Sequence, residues 1–307
     1  MKTLCWNCRG LGGSRTVLSL MEAIREHNPQ IVCLFETKRD GRGKDRLKLK
    51  LGFPYCFAVS SRGRSGGLAV LWGVDVDLTV RNFSDYHIDT EVGAQTVSQL
   101  TLFYGDPPLS RRRLSWELLR RLKQPGVRPW IVLGDFNEVL SDEEVWGMRP
   151  RQSWQMNNFR EALADCGLTD LGFKGFPYTF TNHREGNREM RARLVRAVAN
   201  DEWRRLHPRA EVTHIHLYAS DHQAIVVDTI GGCVVRRKKL FRFEAMWCDH
   251  PGFGDLMEDF WQKRIESQTT WMAKLKSCKN TLKIWNTQTF GNVQRRIKEL
   301  KEKIRNN

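Results

Sequence analysis

The chain has 307 residues, 40% of them hydrophobic, which is enough for one large domain or two small ones. No window holds the roughly 20 consecutive apolar residues that a membrane-crossing helix needs. Met1-Lys2-Thr3-Leu4-Cys5-Trp6 runs straight into polar Asn7-Cys8-Arg9, without the apolar core of a secretion signal, so an intracellular protein with no membrane partner is expected. The net charge of +15 and the pI near 9.7 point to a polyanionic partner, because Lys and Arg gain affinity by releasing counterions from phosphates.

In chain order, short apolar runs alternate with amphipathic ones. Strands are predicted over 3–8, 30–35, 55–60, 67–72, 76–83, 96–104, 129–133, 212–216 and 224–227, and helices over 14–27, 110–123, 153–166 and 200–206. Several strands are rich in Val, Ile and Leu without clean alternation, as expected where both faces are covered. Ser14, Ser110 and Ser153 are placed to act as helix N-caps. Strands interspersed with helices predict a layered α/β sandwich over residues 1–230. The eight cysteines form no framework and are read as reduced thiols. The Cys5/Cys8 pair is read as strand packing, with a metal or redox role as the alternative.

From about residue 231 the character changes. Residues 231–307 hold 17 Lys and Arg against 8 Asp and Glu, a net of +9, which leaves +6 for the rest. A basic connector, Arg236-Arg237-Lys238-Lys239, precedes an aromatic stretch over 241–247 and then a helical pattern. Phe290, Val293, Ile297, Leu300 and Ile304 step by 3, 4, 3 and 4, a heptad stripe that could pack on its own domain or on a second helix. The stripe runs to the last residues with no Gly or Pro stop, so the chain is expected to end inside an element.

Four polar motifs stand at the ends of apolar runs: Trp6-Asn7-Cys8-Arg9-Gly10, Glu36-Thr37-Lys38, Gly134-Asp135-Phe136-Asn137 and Ser220-Asp221-His222. Phosphodiester cleavage needs a divalent cation, an activated water and stabilisation of charge at phosphorus. Mg²⁺ keeps several waters, so one or two carboxylates can hold it. Glu36, after Ile31-Val32-Cys33-Leu34-Phe35, is the first candidate ligand; a surface acid opening a loop is the alternative. Asp135 and Asn137 are two apart and share a face in extended chain, so an acid that takes a water proton and a carboxamide that holds an oxyanion could meet one phosphate. The Asp221-His222 pair could supply an oriented imidazolium, or be only a loop. Asn7 could bond a ligand or a carboxylate, and the Tyr104 phenol could reach a phosphate oxygen or pack in the core. Arg111, Arg112 and Arg113 at a helix start, and Arg188, Arg191, Arg193 and Arg196, are candidate nucleic-acid contacts, or else a solvated face.

In order, Trp-Asn-Cys-Arg-Gly-Leu-Gly, Glu-Thr-Lys, Tyr-Gly-Asp-Pro-Pro, Gly-Asp-Phe-Asn-Glu, Thr-Phe-Thr-Asn and Ser-Asp-His resemble the endonuclease/exonuclease/phosphatase superfamily, and most the endonuclease domain of plant non-LTR (LINE-type) retrotransposon polyproteins. The resemblance covers residues 1–230. It implies a DNase I-like, four-layer α/β sandwich followed by a helical C-terminal segment, the latter like the linker that leads to a reverse transcriptase. It also implies Mg²⁺ or Mn²⁺ as cofactor, DNA as partner (with RNA of the parent element as a second), a nuclear site of action, and nicking to a 3′-hydroxyl. By residue, Glu36 would be the principal metal ligand, assisted by Asn7. Asp135 would activate water, Asn137 and Tyr104 would contact the phosphate, and Asp221 with His222 would orient and neutralise it. One departure stands out. Val195, in Arg193-Leu194-Val195-Arg196, lies where the family pattern has an Asp that supports the catalytic His. Valine accepts no hydrogen bond, so weak or absent cleavage is expected. The alternatives are a catalytically dead nucleic-acid binder and, within the superfamily, a phosphatase of lipids or small molecules.

Overall fold

A run such as Ile31-Val32-Cys33-Leu34-Phe35 can be covered on both faces only inside a layered structure, and all five of its residues are buried. The computed structural model describes residues 1–39, 44–61, 63, 66–126, 128–147, 151–184, 188–231, 243, 245–262 and 271–291. The connector at 236–239 and the heptad stripe beyond Phe290 lie outside the described residues. The chain divides into two units, Met1–Cys233 and Val234–Asn307.

In the first unit the order is β1 (Lys2–Asn7), α1 (Ser14–His27), β2 (Ile31–Phe35), α2 (Lys44–Leu51), β3 (Tyr55–Val59), β4 (Leu68–Trp72), β5 (Leu78–Ser84), β6 (His87–Val92), β7 (Ser98–Tyr104), α3 (Arg112–Leu122), β8 (Trp130–Asp135), β9 (Val145–Trp146), α4 (Ser153–Cys166), β10 (Thr169–Asp170), β11 (Phe180–Thr181), β12 (Arg191–Ala192), β13 (Val195–Ala199), α5 (Asp201–Leu206), β14 (Glu211–Ile215) and β15 (Ala224–Asp228). They form two six-stranded sheets, ordered β14-β15-β1-β2-β4-β3 and β10-β13-β8-β7-β6-β5, and a small sheet, β11-β12-β9. In the large sheets only β1 with β2 and β7 with β8 run parallel among the paired strands.

Period-2 alternation assigns each side chain to a layer. Cys5, Cys33 and Phe35 face Leu102, Leu133 and Ile131 in the core between the sheets. Leu4, Trp6, Val32 and Leu34 face the other way, onto Val17 and Leu20 of α1. On the far side Phe103, Trp130 and Val132 pack on Trp116 and Leu119 of α3 and Phe159 of α4. The layers are therefore helix, sheet, sheet, helix, the expected four-layer α/β sandwich. Each large side chain so buried contributes about 2 kcal/mol.

The serines predicted as N-caps do not cap. Ser14 and Ser153 are the first helical residues, Gly13 and Gln152 hold the cap positions, and α3 starts at Arg112 after a 3₁₀ turn over Leu109–Arg111. None of the three caps makes a side-chain bond, whereas Asn200 does cap α5, accepting from Trp203 N. In the second unit a 3₁₀ turn (Ala245–Trp247), α6 (Gly252–Gln262) and α7 (Trp271–Phe290) enclose a small core of Trp247, Phe260, Cys278 and Leu282. No described helix is long and apolar enough to cross a membrane.

Candidate active site

The two parallel pairs deliver the site. Asn7 ends β1, Glu36 follows β2, Tyr104 ends β7 and Asp135 ends β8, so each sheet brings two residues to the same edge. Close strand approach there depends on glycine: a Cβ on Gly134 would lie 1.8 Å from Phe103 O, and one on Gly105 2.2 Å from Phe136 O. The Gly134-Asp135 motif is thus a packing requirement as much as a chemical one.

Asn7 is the hinge of the constellation. Its Nδ2 donates to Glu36 Oε1 at 3.0 Å and to Asp135 Oδ2 at 2.9 Å. Its Oδ1, the atom a metal would need, accepts from Arg9 N at 3.2 Å. Asn7 therefore holds the two carboxylates together through its amide nitrogen. Tyr104 donates its O–H to Glu36 Oε1 at 2.9 Å. Burial, with the charges of Glu36 and Asp135, pushes this phenol far up, and it stays a donor. For Glu36, burial opposes ionisation, but the bonds from Asn7 and Tyr104 and the nearby His222 and Lys38 outweigh it, and the carboxyl titrates below its ordinary range.

Asp135 is fully buried; its second oxygen accepts from Asn137 N at 3.0 Å, and Asn137 Nδ2 donates to Gly105 O at 2.8 Å. The Asn137 amide also interacts with the Tyr104 phenol, so it ties the end of β7 to the loop after β8. Ser220 fastens the loop of His222 to β1: its hydroxyl donates to Asn7 O at 2.9 Å and accepts from His222 N at 3.1 Å. Trp6 Nε1 donates to His222 O at 3.0 Å, and a bridge to Phe180 sets the imidazole beside that ring. Asp221 takes an ion pair from Arg9, and Lys38 Nζ stands 3.6 Å from Glu36 Oε2.

The structure thus brings Asn7, Glu36, Tyr104, Asp135, Asn137, Asp221 and His222 to one edge. The imidazole is incompletely supported. His222 Nδ1 is buried with no hydrogen-bond partner, 3.4 Å from Asp135 Oδ2. Val195, opposite Asp135 in the β13–β8 register, is buried in the core between the sheets and offers no acceptor. The backbone is also unusual here. Of the six non-glycine residues at positive φ among the described residues, four ring this edge: Arg9 (46°), Glu36 (50°), Lys38 (50°) and Asn137 (54°). Such residues cost on the order of 1 kcal/mol each.

The arginines divide. Arg112 is not a surface contact: it is buried, with NH1 on Glu138 Oε2 at 2.7 Å and the rest of its fork on the Asp106 and Pro107 carbonyls. Arg193 and Arg196 are also corrected. Both are buried between Glu144 and Asp170 in pairs of 2.6–2.9 Å, because a charge inside the fold persists only when matched. Arg191 is half-buried, on Glu189 Oε1 and between the rings of Trp146 and Phe176. Arg188 is exposed, as are Arg111, paired with Asp106, and Arg113, paired with Glu117. The reading by sequence missed the roles of Ser220, Trp6 and Phe180, although each lay in a quoted motif, because the hydrogen bonds and ring contact they make join distant parts of the chain. Cys5, Cys8, Cys33, Cys166, Cys248 and Cys278 are free thiols, and burial pushes the Cys8 thiol up to about 12, so it is a poor metal ligand.

Residues 4–222 match the Endonuclease/Exonuclease/phosphatase family. The chain belongs to that family. Members hydrolyse phosphate esters. No curated protein sequence matches the chain. Among solved structures it is similar to the endonuclease domain of TRAS1, a telomere-specific non-LTR retrotransposon (17% identity, 78% of this chain and 99% of that one, TM-score 0.55). An AP endonuclease from Archaeoglobus fulgidus is also similar (17%, 74% and 98%, TM-score 0.60), and so is the 3′ phosphatase NExo from Neisseria bound to a product DNA hairpin (18%, 74% and 98%, TM-score 0.57). At these identities the likeness is one of fold.

Among the described residues no three His, Cys, Asp or Glu side chains cluster as a metal cage. The donor set still fits a hard cation held by one carboxylate, waters and a substrate phosphate, since Glu36 is ionised and its Oε2 accepts no hydrogen bond among the described residues.

Proposed function

We propose that this protein is a divalent-metal-dependent phosphodiester hydrolase that nicks DNA, with a turnover limited by its imidazole. The observation that carries the reading is the hydrogen-bonded chain Tyr104–Glu36–Asn7–Asp135–Asn137, drawn from four strand ends and closed by His222. Glu36 would hold Mg²⁺ or Mn²⁺, which supplies charge neutralisation at the phosphate. Asp135, fixed by Asn7 and the Asn137 amide, accepts the proton of the attacking water. The Asn137 amide and the His222 imidazole face the developing charge on oxygen. The retrotransposon and repair enzymes of the same fold support DNA as substrate, as does the net charge of +15. By the same likeness, the second unit is the segment that would lead to a reverse transcriptase.

The test is nicking of supercoiled plasmid with Mg²⁺ or Mn²⁺. Glu36→Ala should abolish cleavage and leave DNA binding nearly intact. A parent protein that folds and binds DNA but never nicks it would favour a binding remnant, the reading suggested by the orphaned Nδ1 of His222. Faster hydrolysis of a phosphoinositide than of plasmid or abasic duplex would instead move the assignment to a phosphatase.

A further inference from the structure

Glu36 and Asn137 have roles that justify a strained backbone, but Arg9 and Lys38, the other two left-handed residues at the edge, have none in the reaction as derived. Arg and Lys gain nothing locally from this conformation, unlike Asn. The loops nevertheless enforce it: Arg9 N donates to Asn7 Oδ1, Leu11 N to Thr37 O, and Lys38 N to Gly66 O. The two loops also touch, since a Cβ on Gly10 would meet Lys38 Cδ at 3.5 Å. As a result two cations stand over the two carboxylates of the edge. The Arg9 guanidinium lies on Asp221, beside His222, with its side chain 53% exposed, and the Lys38 ammonium lies near Glu36 Oε2, 33% exposed.

We propose that Arg9 and Lys38 are substrate-binding residues that grip the nucleic-acid backbone on either side of the scissile phosphodiester, exchanging the internal carboxylates for phosphates. The proposal rests on the DNA reading above and extends it to two residues and their ligand. Three features fit. Both side chains are half-open to solvent, whereas the arginines that serve the fold are buried. Lys38 stands off Glu36 at 3.6 Å, and Arg9 holds Asp221 through one guanidinium nitrogen, so each keeps donors for a phosphate. Both are placed by residues that also place the reacting groups: Asn7 accepts from Arg9 N, and Lys38 is two residues from Glu36.

A structural latch and a phosphate grip respond oppositely to glycine. Arg9→Gly and Lys38→Gly relax the left-handed backbone and remove the charge. Binding of a fluorescent duplex, measured from 50 to 200 mM salt with a chelator present, gives the slope of log affinity against log salt for the parent and both variants. The expected result is a melting temperature no lower than the parent's, about tenfold weaker binding at low salt, and a slope smaller by about one for each variant. Arg9→Lys should keep the parent slope. A lowered melting temperature with an unchanged slope would make the pair a structural latch and overturn the proposal. A parent that binds no duplex would overturn the DNA reading with it, whereas a parent that binds with the same slope as both variants overturns this proposal alone.

Discussion

Two groups of charges in the first unit are built from the same residue types and end differently. Around Arg196, which is fully buried, all four oxygens of Glu144 and Asp170 accept hydrogen bonds, and both carboxyls titrate below their ordinary range: burial opposes this, and the Arg196 and Arg193 charges outweigh it. Around His222, Nδ1 has no partner, and Lys38 stands off Glu36 Oε2 at 3.6 Å on a left-handed backbone. A set closed at its carboxylates, though Nε of Arg193 and of Arg196 are buried without a partner, holds β10 and β13 to the turn before β9. An open one leaves valences for something that arrives from outside. Type and spacing in the sequence do not separate the two; matching does.

The largest effect should come from opening the closed set. Arg196→Ala leaves the partly buried Glu144 and Asp170 to Arg193 alone and should cost about 3 kcal/mol in urea unfolding, the low end of the loss when one partner of a buried pair is removed. A loss under 1 kcal/mol would mean that the network is not a determinant of stability. The next effect comes from closing the open set. Val195→Asp offers an acceptor near the orphaned His222 Nδ1 and should raise the nicking rate about 10–100-fold, the range for restoring an orienting partner. If that variant is folded and cuts no faster than the parent, Val195 does not explain weak cleavage.

Acid should attack the closed set through His214, whose ring stacks on Phe173, the ring that also carries Arg193. Burial, assisted by Arg193 and Arg196, lowers His214 to about 4 against the Phe176 carbonyl and Asp170, and burial lowers His87 to about 4 as well. Both are neutral in the fold, so their contribution is present above pH 6.5 and is lost as pH falls toward 4. Thermal unfolding across that window should show a steady fall, and a flat profile would be inconsistent with buried neutral rings. The smallest effect belongs to Arg113→Ala. Its side chain is 80% exposed and its Glu117 pair is of the i,i+4 kind, so stability should move by less than 0.5 kcal/mol in the same urea assay.

β2 and β8 were legible because Ile31–Phe35 and residues 130–133 are unbroken apolar runs, and they differ from expectation by one or two residues at an end. β13 was not, because Arg196 sits inside it and reads as surface until Glu144 and Asp170 are seen to meet it. β6, His87–Val92, was hidden by Asp89, a buried acid that accepts from Gln99 and Thr101. The two-residue strands β9, β11 and β12 are too short for any period to register. At the site, residue types and their strand-end positions were readable. Their division of labour was not, since whether Asn7 faces a metal or two carboxylates depends on partners 29 and 128 positions away.

The pairing of the first strand with the last has a consequence for how the molecule comes into being. Lys2 stands opposite Asp228, and the amino group of Met1 donates to Thr229 Oγ1 at 2.8 Å. During synthesis β1 can find β2 early, but its other edge stays open until about 230 residues have left the ribosome, and Ser220 can clasp Asn7 only then. Contacts of such sequence separation make folding slow and late. A chain truncated before β15 would therefore carry an exposed strand edge and an unassembled site together, and competence for chemistry would report on completion of the first unit as a whole.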